Sequence, residues 1–436
     1  MITGITRENL NSITDEELKK DAERYVYIYE DFMDFVSESG MDESRDNDNT
    51  EELIKRLRDK GAGVRNSGTS VHHGEISPAC IDCRTGKGSR TIFYSLLCNR
   101  DCFFCANMNQ EHYDHFIKHR NDAVAELDSY GKAEKLSSIG LTGGEPLLLP
   151  EQTIAFFEHS KKNYPDAHRR LYTNGDLLDA STVEKLKNAG LDEIRISIKM
   201  DEEGYDTSVL EKLELASGEI PSVMVEMPVI PGTFEQMKGL LDKMEEIGCT
   251  GINLLEFLYP WVNEEIYKER GYRIKNRPYR VLYSYQYAGG LPIAGSEEEC
   301  LMLVEYAMDK KLSLNVHYCS LENKLSAQVY TQNSGIRLMP FEYRSENDFF
   351  IKTARVYGKN TDRALEIFNK TDFNDYEVSP DKRFIEFHPR AAGLLDDGTE
   401  IGLTYNVVEE GEQGKYMREV KIDLIKPETF IFKTDA

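Results

Sequence analysis

Three of the chain's eight cysteines fall within eight residues, Cys98-Asn-Arg-Asp-Cys102-Phe-Phe-Cys105. Soft thiolates this close together suit an iron–sulfur cluster or zinc, because a single loop can wrap the metal without long-range folding. Three ligands are one short of a closed four-cysteine site, so one metal position stays open. Two plainer readings stand beside this one: a zinc knuckle completed by His112 or His115, and a chance group of buried thiols.

A second pair, Cys80-Ile-Asp-Cys83, has the spacing of half a metal site. Cys319 is the best third ligand, because it ends the strand expected after the sixth barrel strand. Cys249, Cys300, His317, His72 and His73 compete for the fourth place. Four thiolates would make an auxiliary iron–sulfur cluster, and His317 would equally allow structural Zn. Buried thiols without metal are the third alternative.

The Cys-x3-Cys-x2-Cys loop, with Phe104 just before its third cysteine, resembles the signature of radical S-adenosylmethionine (radical SAM) enzymes. Leu141-Thr-Gly143-Gly144-Glu145-Pro146 resembles that family's second motif, the loop that binds the SAM amino group. The resemblance implies that Cys98, Cys102 and Cys105 carry a catalytic [4Fe–4S] cluster and that SAM chelates its fourth iron. It also implies reductive cleavage of SAM to a 5′-deoxyadenosyl radical that abstracts a substrate hydrogen. An electron donor such as flavodoxin or ferredoxin and oxygen-sensitive, anaerobic chemistry of oxidoreductase or transferase type come with it. In such relatives a serine and a polar residue two further on touch SAM, which matches Ser197 and Lys199. Thr173 and Asn174 are SAM contacts by position. Arg195 meets either the SAM carboxylate or Glu226, the latter as a structural pair.

The elements that must position these residues follow from pattern. Strands are expected over Thr91–Leu97, Ser137–Thr142, Arg169–Asn174, Glu193–Lys199, Ser222–Ile230 and Gly251–Leu258, with helices between them. Alternating strands and helices mean a parallel sheet, and parallel barrels carry chemistry on the loops after their strands. The fold class is α/β, and the resemblance makes it a partial (β/α)6 barrel. In strand four, Ile194, Ile196 and Ile198 share one face and Arg195, Ser197 and Lys199 the other. The isoleucines belong against helices, which turns the polar row into the barrel. Residues 1–75 read as a helical extension, with Thr14 and Glu17 as a capping box. Residues 76–320 form the barrel with an insertion at 259–295, and 321–436 an α+β module.

Composition bounds the partners. The 436 residues carry 53 basic and 77 acidic side chains, a net charge of −24, which argues against nucleic acid as a general partner. No apolar run is long enough to span a membrane. Clustered cysteines and a start without a secretory pattern point to the cytoplasm. Extra modules on both sides of the barrel and the aromatics of 259–295 lean towards a peptide or protein substrate. A small metabolite, a glycyl-radical partner enzyme, and a zinc-stabilised binding protein without radical chemistry remain as alternatives.

Overall fold

The computed structural model describes residues 2–45, 49–201, 204–283, 289–412 and 414–435. The chain forms two compact units, one of residues 41–278 and 285–327, the other of residues 1–40, 279–284 and 328–436.

The larger unit is built on seven parallel strands: β1 (Ser89–Phe93), β2 (Ser138–Thr142), β3 (His168–Thr173), β4 (Glu193–Ile196), β5 (Ser222–Val229), β6 (Gly251–Glu256) and β7 (Asn315–Cys319). They pair in chain order. The six expected strands are present, and β7 adds a seventh in parallel register. Beyond β7 the sheet continues antiparallel through a hairpin, Ser70–His73 against β7 and Gly63–Arg65 against Ser70–His73. This corrects the helical reading of residues 1–75. Val64 and Val71 supply the apolar side of two very short strands, too short for their period to show in sequence. In this ladder β1 and Gly63–Arg65 are the edges, so the sheet is a partial barrel.

Helices Ala123–Ala133, Pro150–Asn163, Ala180–Asn188, Ser208–Ala216, Phe234–Ile247 and Ser296–Lys310 connect the strands. Their buried faces, including Phe156, Phe157, Leu186, Leu213, Leu240 and Val304, join Leu141, Leu171, Ile194, Ile196, Val225 and Ile252 in one core. Ile194 and Ile196 thus face the helices, and Arg195 is left for the lumen.

The second unit holds a seven-stranded sheet whose paired strands are all antiparallel. Its longest members are Ile401–Gly411 and Gly414–Ile425. Arg337–Tyr343, expected as a strand, is one only at Tyr343–Arg344. Helix Glu16–Glu38 buries Leu18, Ala22, Val26, Phe32 and Val36. Its N-cap is Asp15, whose carboxylate accepts from the Glu17 and Leu18 N–H groups, while the Thr14 hydroxyl donates to Glu400. Among the described residues no helix is long and apolar enough to cross a membrane.

Candidate functional site

β1 stops at Phe93, four residues short of the expected end, because the next residues pair with a short helix and a loop instead of a strand. Leu96 N–H donates to Phe116 O at 3.0 Å, and the Ser95 hydroxyl to the same oxygen at 2.9 Å. The Gly143–Pro146 loop docks on this segment: Gly144 N–H reaches Ser95 O at 3.0 Å, and Glu145 N–H reaches Leu97 O at 2.8 Å. A Cβ on Gly144 would stand 1.9 Å from Leu97 O, and one on Gly143 2.3 Å from Ser95 O, where φ is also +120°. Only glycine fits so close an approach of two backbones.

Glu145 is buried and already engaged. Its carboxylate accepts from the Thr173 hydroxyl at 2.7 Å, Asn174 N–H at 2.7 Å and Leu147 N–H at 2.9 Å. Burial raises its pKa, with those three bonds opposing. Thr173 and Asn174, both buried, are therefore tied to the second motif, and Pro146 is buried behind it.

The cysteine loop turns tightly, with Cys105 N–H on Cys102 O at 3.0 Å. Cys98 Sγ takes the Arg100 N–H at 3.4 Å and lies 3.8 Å from Asn174 Nδ2. Burial pushes the Cys102 and Cys105 thiols up, and the Lys199 charge opposes this at Cys102. Lys199 and Ser197 are exposed, and Ser197 O lies 3.5 Å from Arg100 Nη1. Asn99, Arg100, Asn107 and Asp176 had not been singled out in the sequence. Arg100 forms a forked ion pair with Asp176, and Asn99 donates to the same carboxylate at 2.8 Å. Asn107 Nδ2 donates to Gly143 O at 2.6 Å, joining the two motifs. Their signal was position: three lie inside or just beyond the cysteine motif, and Asp176 two residues past Asn174.

Phe103 and Phe104 run into Phe257, just past β6, and through it into the aromatics of the insertion. Phe257, Tyr267 and Tyr272 pack with them at ring separations of 5.1–6.2 Å, and Tyr259 bridges Tyr267 and Trp261. Asn263 Nδ2 donates to Phe103 O at 2.8 Å. Residues 284–288 of the insertion lie outside the described residues.

In the lumen, Arg195 is fully committed. Nε bonds Glu193 at 2.6 Å, Nη1 bonds Glu226 at 2.5 Å, and Nη2 lies 3.4 Å from Cys80 Sγ. Of the two partners expected for it, the structure sets Glu226 against it. A buried guanidinium needs such partners. Two carboxylates meet that need.

The donor set at the mouth fits an iron–sulfur cluster: three thiols on one loop, none in a disulfide, with N–H donors beside Cys98. Among the described residues no three His, Cys, Asp or Glu side chains converge on a single ion. A cube binds each thiolate at a different iron, so its ligands stand farther apart than those of one ion.

Comparison with known proteins agrees. The Radical SAM superfamily model matches residues 92–244. A "Putative glycyl-radical enzyme activating enzyme" of Methanocaldococcus jannaschii is 27% identical over 318 residues, 70% of this chain and 79% of that protein. A "Probable GTP 3′,8-cyclase" of Methanococcus maripaludis is 29% identical over 207 residues, 41% of this chain and 62% of that one, under two thirds of its length. Among solved structures, Streptococcus suis SuiB bound to precursor peptide SuiA aligns with a TM-score of 0.39 and 14% identity, over 68% of this chain and 59% of that one. Residues 92–244 are a radical SAM domain, the domain of an enzyme family that works with a [4Fe–4S] cluster and SAM.

Proposed function

We propose that this enzyme abstracts a hydrogen from a peptide or protein segment held against the aromatic wall at the barrel mouth. The observation that carries the reading is the joining of that wall to the cysteine loop. Phe103 and Phe104 stand between Cys102 and Cys105 in sequence and pack on Phe257, with Arg270 over the Phe103 ring at 4.7 Å. A side chain or backbone lying on half-buried Phe103, Phe104 and Trp261 would be next to the cysteines. When bound, the cluster and SAM supply the 5′-deoxyadenosyl radical. The protein's own residues bind, orient and keep water out. Cys98, Cys102 and Cys105 hold the cluster. Lys199 and Arg100 place positive charge beside it, Ser197 offers its hydroxyl to SAM, and Gly143, Gly144 and Glu145 fix the loop that faces them.

A second reading is favoured by the 318-residue similarity to the activating enzyme, which extends well beyond residues 92–244. In that reading the substrate is a glycine of a partner enzyme. The radical SAM domain of residues 92–244 speaks against the zinc-stabilised binding protein. The test is 5′-deoxyadenosine release by anaerobically reconstituted enzyme with SAM and dithionite, supplied in turn with peptides encoded beside its gene, with a co-encoded glycyl-radical enzyme, and with GTP. Stimulation by a peptide, or a glycyl radical seen by electron paramagnetic resonance, is expected. Stimulation by GTP alone would overturn the proposal.

A further inference from the structure

Below the mouth, the lumen holds a second set of thiols. Cys80 and Cys83 lie on helix Pro78–Cys83, which Ser77 caps by accepting from Ala79 N–H at 3.2 Å. Residues three apart share a helix face, and here that face looks into the barrel. Cys80 Sγ lies 3.4 Å from Arg195 Nη2 and 3.5 Å from Asn253 Nδ2.

Asn253 Oδ1 also accepts from His317 Nδ1 at 3.0 Å. Cys319 is two residues beyond His317 on β7 and so on the same face. A second link runs outside the lumen. Arg84, next to Cys83, bonds Asn66, whose Nδ2 donates to Asn323 Oδ1 at 2.5 Å, and Asn323 Nδ2 lies 3.2 Å from Cys319 Sγ. The Ser326 hydroxyl closes the link by donating to Arg84 O at 3.1 Å. The helix bearing Cys80 and Cys83 is thereby stitched to the turn that follows Cys319.

We propose that Cys80, Cys83 and Cys319 hold a second [4Fe–4S] cluster in the barrel lumen, with one iron left without a protein ligand. Cys83 is exposed and Cys80 and Cys319 are half-buried, unlike the core cysteines Cys249 and Cys300. Three N–H donors, from Arg195, Asn253 and Asn323, aim at two of the sulfurs. A neutral thiol is a weak acceptor, whereas an iron-bound thiolate is stabilised by such bonds, which also tune its cluster.

The possible fourth ligands are committed elsewhere. His317 uses both nitrogens, on Asn253 and Ser70, His72 bonds Gly74 O, and His73 bonds Leu312 O. Cys249 and Cys300 are buried in the core between strands and helices. Three ligands are too few for a closed structural zinc site.

The test is iron and labile-sulfide analysis of the full chain after anaerobic reconstitution with iron and sulfide. Wild type should hold about eight irons, and Cys80→Ala/Cys83→Ala about four. Cys98→Ala/Cys102→Ala/Cys105→Ala should also keep about four, with an electron paramagnetic resonance spectrum that SAM does not change. Cys319→Ser, checked for folding by circular dichroism, should lose the same lumen irons. About four irons in wild type, unchanged by Cys80→Ala/Cys83→Ala, would overturn the proposal, as would zinc or no metal in the mouth triple variant. Should the lumen variants not fold, the mouth triple variant alone decides. Loss of the mouth irons is read separately, so failure of the family assignment at Cys98–Cys105 would not be mistaken for failure here.

Discussion

The mouth and the lumen of one barrel assemble their cysteines in opposite ways. At the mouth the three thiols come from one loop, and the neighbouring acid, Glu145, is satisfied by a hydroxyl and two backbone N–H groups without a cation. In the lumen the thiols come from a helix and a strand far apart in sequence, and the acids Glu193 and Glu226 meet the guanidinium of Arg195. The mouth is therefore a site that its own loops build. The lumen is assembled by closing the sheet, and it depends on every strand arriving in register.

The sharpest way to break that comparison is at the mouth. Cys102→Ala removes one of the three thiols proposed to hold the cluster, so 5′-deoxyadenosine formation should fall to background while the far-ultraviolet circular dichroism spectrum stays that of wild type. Turnover at the wild-type rate in the folded variant would remove Cys102 from the site. The lumen variant Cys80→Ala/Cys83→Ala should spare SAM cleavage by comparison, since the partners of Cys80 Sγ among the described residues are the lumen residues Arg195 and Asn253.

A smaller effect is expected where the two mouth loops meet. In Gly144→Ala the new methyl would overlap Leu97 O at 1.9 Å, and relieving it must break the Gly144–Ser95 or Glu145–Leu97 bond. The cost should be about 2–3 kcal/mol of stability, as for overpacking at a tight contact. Urea unfolding measures it. A loss below roughly 0.5 kcal/mol, the scatter of neutral surface changes, would show that the loop moves aside freely.

How far these regions could be read from sequence follows the same division. The Cys98–Cys105 loop and Gly143–Pro146 were legible because each is a local pattern. Their neighbourhood followed from the rule that loops after parallel strands share a rim. The hairpin Gly63–Arg65/Ser70–His73 was not legible, because a three-residue strand carries no period and is held by pairing with β7. Arg195 was half legible. Alternation turned it inward, but its pairing with Glu226 rests on the register Met224–Arg195 that sets β5 beside β4. Glu145 shows the limit of motif reading, since in the fold its carboxylate ties down Thr173 and Asn174.

The smallest effect separates the two regions by pH. Glu256, at the end of β6, is pushed up to about 7 by burial, with Lys275 opposing and Glu297 adding to the rise. Glu193 in the lumen is held at about 2: burial pushes it up, but His168, Arg195 and Ser77 outweigh that. A carboxyl unfolds with a pKa of about 4.3. Glu256, raised on folding, thus contributes stability that is complete below about pH 4.3 and lost as pH rises towards 7. Glu193, lowered on folding, contributes stability present above about pH 4.3 and lost as pH falls towards 2. Each arm should be worth about 1–3 kcal/mol, reduced from the full linkage value by local relaxation. Urea unfolding of wild type, Glu256→Gln and Glu193→Gln between pH 3 and 8 resolves them. Glu256→Gln, which keeps an oxygen for Leu321 N–H, should flatten the decline above about pH 4.3 and leave the acid arm alone. Glu193→Gln should do the reverse, because it strips Arg195 of one of its two anions. An unchanged decline in Glu256→Gln would mean that Lys275 keeps the carboxylate charged across the range.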